Sequence, residues 1–208
     1  MTINFANGSN ITIANGFSNG GKAVNFGNSN VYVNGGFDSG SSGVTIGDGV
    51  LHIGSGTVRF AGTNRKGNGN VIINASLNLS GGSQLYVGNG NHSVGSFDIS
   101  GGSFATMGTG NFTAVNGVKV GGGSELSIGA GNVELGKNAS TGRAIDLDGS
   151  GIFLMGDGTF RANGSINTQG GSKLAFGKTA NHYLNGNMTI GGAVLFGAGR
   201  YTINGNFT

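Results

Sequence analysis

The stretch GGSELSIGAGNVEL at Gly122–Leu135 is written again, with small changes, as GGSQLYVGNGNHSV from Gly81 and GGSKLAFGKTANHYL from Gly170. Each copy closes a short apolar alternation on a pivot residue, which is Gly in all copies but the first. The pivots are Ala6, Gly27, Gly54, Gly88, Gly108, Gly129, Gly156, Gly177 and Gly197, at intervals of 21, 27, 34, 20, 21, 27, 21 and 20. A basic period of 20 or 21 along a whole chain is the signature of a solenoid, in which one small unit per repeat stacks on the next.

The two alternate positions before each pivot pair as Ile3/Phe5, Val24/Phe26, Leu51/Ile53, Leu85/Val87, Ala105/Met107, Leu126/Ile128, Phe153/Met155, Leu174/Phe176 and Val194/Phe196. All are apolar, and most residues between them are polar, so the period is two and the element is a strand with one buried face. Gly and Asn every few residues exclude a helix of useful length. A second alternation follows a Gly- or Asn-containing corner, as in Ile11-Thr12-Ile13, Val31-Tyr32-Val33, Val58-Arg59-Phe60 and Val133-Glu134-Leu135. A third follows in Phe97-Asp98-Ile99, Val118-Lys119-Val120, Ile145-Asp146-Leu147 and Met188-Thr189-Ile190. Three short strands per turn make a triangular coil, with Gly and Asn at the sharp corners they tolerate best. The expected fold is all-β, a parallel β-helix (β-solenoid) of about nine turns, one domain over residues 1–208, and a rod roughly 40 Å long at the spacing between paired strands. An interval of 20 or 21 with uneven corners favours a right-handed coil.

Composition closes off other classes. Gly is 47 of 208 residues, Pro and Cys are absent, and 9% of residues are charged, yet 36% are hydrophobic and the net charge is only +3. Disordered chains combine low hydrophobicity with high charge, and collagen needs Pro and a strict third-residue Gly. The 11 Lys and Arg are spread out without a basic run, which gives no support for nucleic acid as a partner. No apolar stretch reaches the length of a signal peptide or a membrane span, so no membrane insertion is expected.

Through GGSFATMGTGNFTAVNGVKV, GGSELSIGAGNVEL and GGSKLAFGK the chain resembles the parallel β-helix of bacterial secreted surface proteins, the autotransporter passengers and filamentous-haemagglutinin-type adhesins. The likeness covers essentially the whole chain and is one of repeat and composition, without a diagnostic motif. It implies a non-enzymatic stalk or adhesive surface outside the cell, at the bacterial cell surface, whose partner is a surface polysaccharide or a host or cell surface. The chain departs from these proteins in lacking a signal peptide, an outer-membrane barrel and a secretion-signal domain, and reads as a segment of something longer.

Polysaccharide lyases and hydrolases also use this fold, and they need clustered carboxylates on neighbouring coils. The third strand offers the outward ladder Asp98, Lys119, Asp146, Asn167 and Thr189, whose alternating sign suits a salt-bridged surface. Asp146 and Asp148 are the only close acidic pair, and Asp148 leads into the corner DGSG. Glu134 and Arg161, one rung apart, read as an ion pair too. No catalytic residue is assigned. His52, His92 and His182 are isolated, with His92 at an inward position, so no metal and no cofactor is expected. The glycines lack the Lys-Ser/Thr ending of a phosphate loop.

The three long intervals place extra residues in NGGFDSGSSG from Asn34, AGTNRKGNGN from Ala61 and GKNASTGR from Gly136. Each follows a second strand, so all three would project from one edge, and insertions in a solenoid often carry recognition. Arg65, Lys66, Lys137 and Arg143 are their basic residues and the candidate ligand contacts, for an anionic surface polymer. The ends suggest an alternative, a head-to-tail filament subunit. A bare end coil leaves backbone groups and apolar side chains open, so Val194, Phe196, Tyr201 and Ile203 of the last turn could receive Ile3, Phe5, Ile11 and Ile13 of the next copy.

Overall fold

The computed structural model describes residues 1–178 and 180–208 and is all-β, with parallel strands stacked as a β-solenoid of ten turns. The first face holds ten strands: Thr2–Asn4, Ala23–Asn25, Val44–Ile46, Thr63–Lys66, Gln84–Val87, Phe104–Met107, Glu125–Ile128, Ile152–Met155, Lys173–Ala175 and Ala193–Leu195. The second face runs from Asn10–Ile13 to Gly199–Ile203, and the third from Gly16–Ser18 to Met188–Ile190, closed by a bridge from Met188 to Phe207. Val71–Leu79 and His92–Ile99 each run round the corner from the second face to the third.

Register corrects the expected count of nine. Leu51 pairs with Val31 and Val71, so Leu51–Ile53 belongs to the second face, and Val58–Phe60, paired with Phe37 and Leu77, belongs to the third. The first-face strands of those two coils are Val44–Ile46 and Thr63–Lys66. Along this face Ile3, Val24 and Val44 succeed one another at 21 and 20 residues, Thr45, Arg65 and Tyr86 at 20 and 21, and Leu85, Ala105 and Leu126 at 20 and 21. Only the step from Leu126 to Phe153 is long, at 27. Two of the three expected insertions are therefore ordinary coil, and one is real.

Inward side chains form apolar columns, broken on the first face by Asn64 and Lys66. Val24, Phe26, Leu51, Ile53, Leu77, Phe97, Leu126, Leu135, Phe153 and Leu174 are buried, and successive coils stack aromatic rings such as Phe5 on Phe26 at 4.9 Å and Phe17 on Phe37 at 4.8 Å. Burying each such side chain is worth about 1.5–3 kcal/mol.

The recurrent Asn is explained at the corners. Between the first and second faces, the side-chain oxygens of Asn7, Asn28, Asp48, Asn68 and Asn89 each accept from the backbone N–H one coil on, at Asn28, Asp48, Asn68, Asn89 and Thr109, at 2.7–3.2 Å. A parallel series runs through Asn70, Asn91, Asn111 and Asn132. The side chain supplies an acceptor where the strand ladder stops, so corner amides stay paired. The GGS corner works differently. Gly122 and Gly123 both take left-handed backbone, at φ of 60° and 71°, and turn the chain so that Ser124 is buried and its Oγ accepts from the N–H of Ser103 at 3.0 Å.

Candidate functional site

On the third face the outward side chains form one ladder, Asp38, Arg59, Asn78, Asp98, Lys119, Asp146, Asn167 and Thr189, each opposite the next. The expected rungs are present but the ion pairs are not the expected ones. Lys119 reaches Asp148 at the corner, at 3.5 Å. Asp146 is held by both oxygens, at 2.8 and 2.9 Å, by Arg143 on its own strand, and it accepts from Asn167 at 3.0 Å. Arg59 and Asp38 approach to 3.8 Å with both side chains half exposed, a pair of little energetic weight. Asp98 alone among these carboxylates has no ion-pair or hydrogen-bond partner among the described residues. Burial raises its carboxyl above the ordinary value, opposed by the Lys119 charge and assisted by Asp148.

Residues 136–142 cross from the second face to the third at this level and account for the long interval. They are pinned. The Asn138 side-chain oxygen accepts from the N–H groups of Ser140 and Thr141 at 2.9 and 3.1 Å, its N–H donates to the Arg143 carbonyl at 2.8 Å, and its carbonyl accepts from Gly142 at 2.8 Å. At Gly136 an added Cβ would fall 1.8 Å from the Val115 carbonyl oxygen, so only glycine lets the loop leave the strand there. Between the loop and the ladder lies a groove of about 170 Å³, with Ser96, Asp98, Asn116, Lys119, Asn138 and Thr141 among its lining residues.

The four basic residues proposed from sequence do not share a surface. Arg65 lies on the first face with its guanidinium 4.7 Å from the centre of the Tyr86 ring. Lys66 points inward and is only 6% exposed, with Nζ donating to the carbonyl oxygens of Gly47 at 2.8 Å and Gly67 at 3.4 Å. Burial lowers its pKa to about 8, against the pull of Asp48. Lys137 is exposed on the loop, and Arg143 is committed to Asp146. Glu134 and Arg161 are rung neighbours as expected, yet Arg161 turns away to lie 4.8 Å over Tyr183.

His92 is inward as expected. Its Nε2 meets the Gly88 carbonyl oxygen at 3.1 Å, Nδ1 has no partner, and burial, together with the Lys66 charge, lowers its pKa despite that hydrogen bond. His182 is also buried, stacked 4.5 Å from Tyr201, with neither ring nitrogen partnered. Among the described residues no group of three or more His, Asp or Glu side chains could hold a metal ion. At the ends, Ile3 and Phe5 are each 40% exposed and Phe196 44%, while Ile11, Ile13, Val194, Tyr201 and Ile203 are half-buried.

Sequence reasoning named Asp98 and the stretch from Gly136, but not Ser96, Asn116, Asn138 or Thr141. Their signal was available. They sit in the one interval that stays long once the coils are counted at 20 or 21, or on the two coils below it. No family model, curated protein or solved structure matches this chain.

Proposed function

We propose that this chain is a non-enzymatic, extracellular structural and adhesive β-solenoid, a segment of a bacterial cell-surface protein. The observation that supports the reading is the uniformity of the rod. Ten coils of about 4.8 Å repeat the same inward columns and the same Asn and Ser rungs, giving a stiff element about 45 Å long. A chain without Cys, presenting Asn, Ser, Thr and Gly outward, suits an environment where thiols would be oxidised. The test is to present the purified rod on beads to bacterial and host cells and, in parallel, to assay neutral and acidic polysaccharides for new chain ends. Retention of the beads without polysaccharide cleavage is expected. Cleavage would replace the reading with that of a lyase or hydrolase.

A second reading, a head-to-tail filament subunit, is favoured by the open apolar residues of the two end coils, Ile3, Phe5 and Phe196. A further coil would cover them, whether of flanking chain or of another copy, and a stack between copies would not close on itself. Electron microscopy of the concentrated protein separates the two. Filaments establish the second reading, and single rods at every concentration remove it.

A further inference from the structure

The solenoid is interrupted once, and the interruption builds a groove. The 136–142 loop is fixed by four hydrogen bonds around Asn138, so the wall it forms does not have to be ordered when something binds, and that lowers the cost of association. The charges in and beside the groove largely cancel in pairs, Arg143 with Asp146 and Lys119 with Asp148. Asp98 is left over, half-buried, its two oxygens without donors among the described residues, and its raised pKa reflects that loss of solvent. Around it the lining offers hydroxyls and amides from Ser96, Asn116, Asn138 and Thr141.

These features select the ligand by its chemistry. An anion would meet Asp98, Asp146 and Asp148 against only two cations. An apolar ligand would remove the last water from a carboxylate with no partner, which is costly. A divalent cation would want several carboxylates converging, and Asp146 and Asp148 are already engaged. A cationic amine would share the groove with the Lys119 ammonium, which stands on the rung next to Asp98. A ring carrying several neutral hydroxyls has none of these conflicts. It donates to the carboxylate and accepts from amides, and about 170 Å³ holds one such ring.

We propose that the groove beneath the 136–142 loop binds one neutral sugar ring of a glycan, with Asp98 accepting hydrogen bonds from two adjacent ring hydroxyls. The proposal rests on the adhesive reading, to which it adds a site and a ligand class. The test uses calorimetry on the whole chain with neutral gluco-, galacto- and manno-oligosaccharides, alongside chitosan oligomers and polygalacturonate, for the parent, Asp98→Asn and Asn116→Ala. Both variants alter outward groove side chains, and their melting temperatures establish that the rod is intact. Binding of at least one neutral oligosaccharide, weakened tenfold or more by Asp98→Asn and several-fold by Asn116→Ala, is the expected result. Neutral sugar binding that both variants keep overturns the site and leaves the adhesive reading standing. Preference for chitosan or for polygalacturonate overturns the ligand class. Beads that adhere to cells while no saccharide binds overturn the groove alone, and beads that neither adhere nor bind saccharide overturn both.

Discussion

Lys66 donates from Nζ to the carbonyl oxygen of Gly47, one coil below, from inside the rod and not from its surface. An ammonium among Ile46, Leu85, Val87 and Met107 is a cost to folding, because carbonyl dipoles replace only part of its hydration. Its pKa near 8 in the folded chain lies below that of the unfolded chain, 10.5. Between those values the unfolded state binds more proton, so stability rises with pH from about 8 to above 10. Urea melts at pH 7.5 and 9.5 are expected to show a gain on the order of 1–2 kcal/mol, absent from Lys66→Met, which is expected to be more stable than the parent at pH 7.5.

His182 stacks on Tyr201 and packs against the tilted ring of Phe176, without a hydrogen bond to either ring nitrogen. Burial holds its pKa below 6.5, so the unfolded chain takes up more proton as pH falls through 6.5, and stability drops there. His182→Phe keeps the ring in an aromatic cluster and removes the buried nitrogens. It is expected to stabilise the upper coils by about 1 kcal/mol at pH 7, and to flatten the loss between pH 6.5 and 5. Equal acid sensitivity of variant and parent would rule this out.

Among the described residues Ser150 alone, other than glycine, has positive φ, at 66°, and it occupies the place that Gly123 and Gly171 hold in neighbouring GGS corners. A side chain there costs about 1–2 kcal/mol of backbone strain. Ser150→Gly is therefore expected to raise the melting temperature by about 2–4 °C, part of the relief being offset by the greater freedom of glycine in the unfolded chain. A lower melting temperature would mean that the serine side chain makes a compensating contact.

Asn89 accepts from the N–H of Thr109 at 2.7 Å through its side-chain oxygen. Asp48 and Asp157 perform the same task for Asn68 and Lys178, at 2.7 and 2.6 Å, so the rung needs an acceptor and not an amide. Asn89→Asp is expected to leave stability within about 0.5 kcal/mol, whereas Asn89→Ala is expected to lose about 1 kcal/mol. Denaturant midpoints of the two variants decide it, and equal losses would show that the rung acts through packing alone.

The repeated alternation by itself determined the fold class. Inward positions such as Leu126 and Phe153 must be apolar whichever face they occupy, and a period of two with Gly and Asn corners has no helical solution. The Asn rungs were visible too, as Asn recurring 20 or 21 residues apart, though not their task. What the sequence by itself could not decide is which face a given alternation belongs to. Val44-Thr45-Ile46 and Leu51-His52-Ile53 are five residues apart and read alike, and only backbone pairing one coil away assigns the first to one face and the second to the next. The coil after them hid itself because its inward residues are Asn64 and Lys66, polar side chains that a hydrophobic pattern skips and that the tertiary structure satisfies with carbonyl oxygens of its own and adjoining coils. That same three-dimensional register turned two supposed loops into ordinary coil, moved Lys66 from a binding edge to the core, and left Asp98 facing the one loop that is real. Periodicity is a local property and was legible. Register and the fate of each charge depend on residues 20 or more positions away, and those were settled only when the coils stacked.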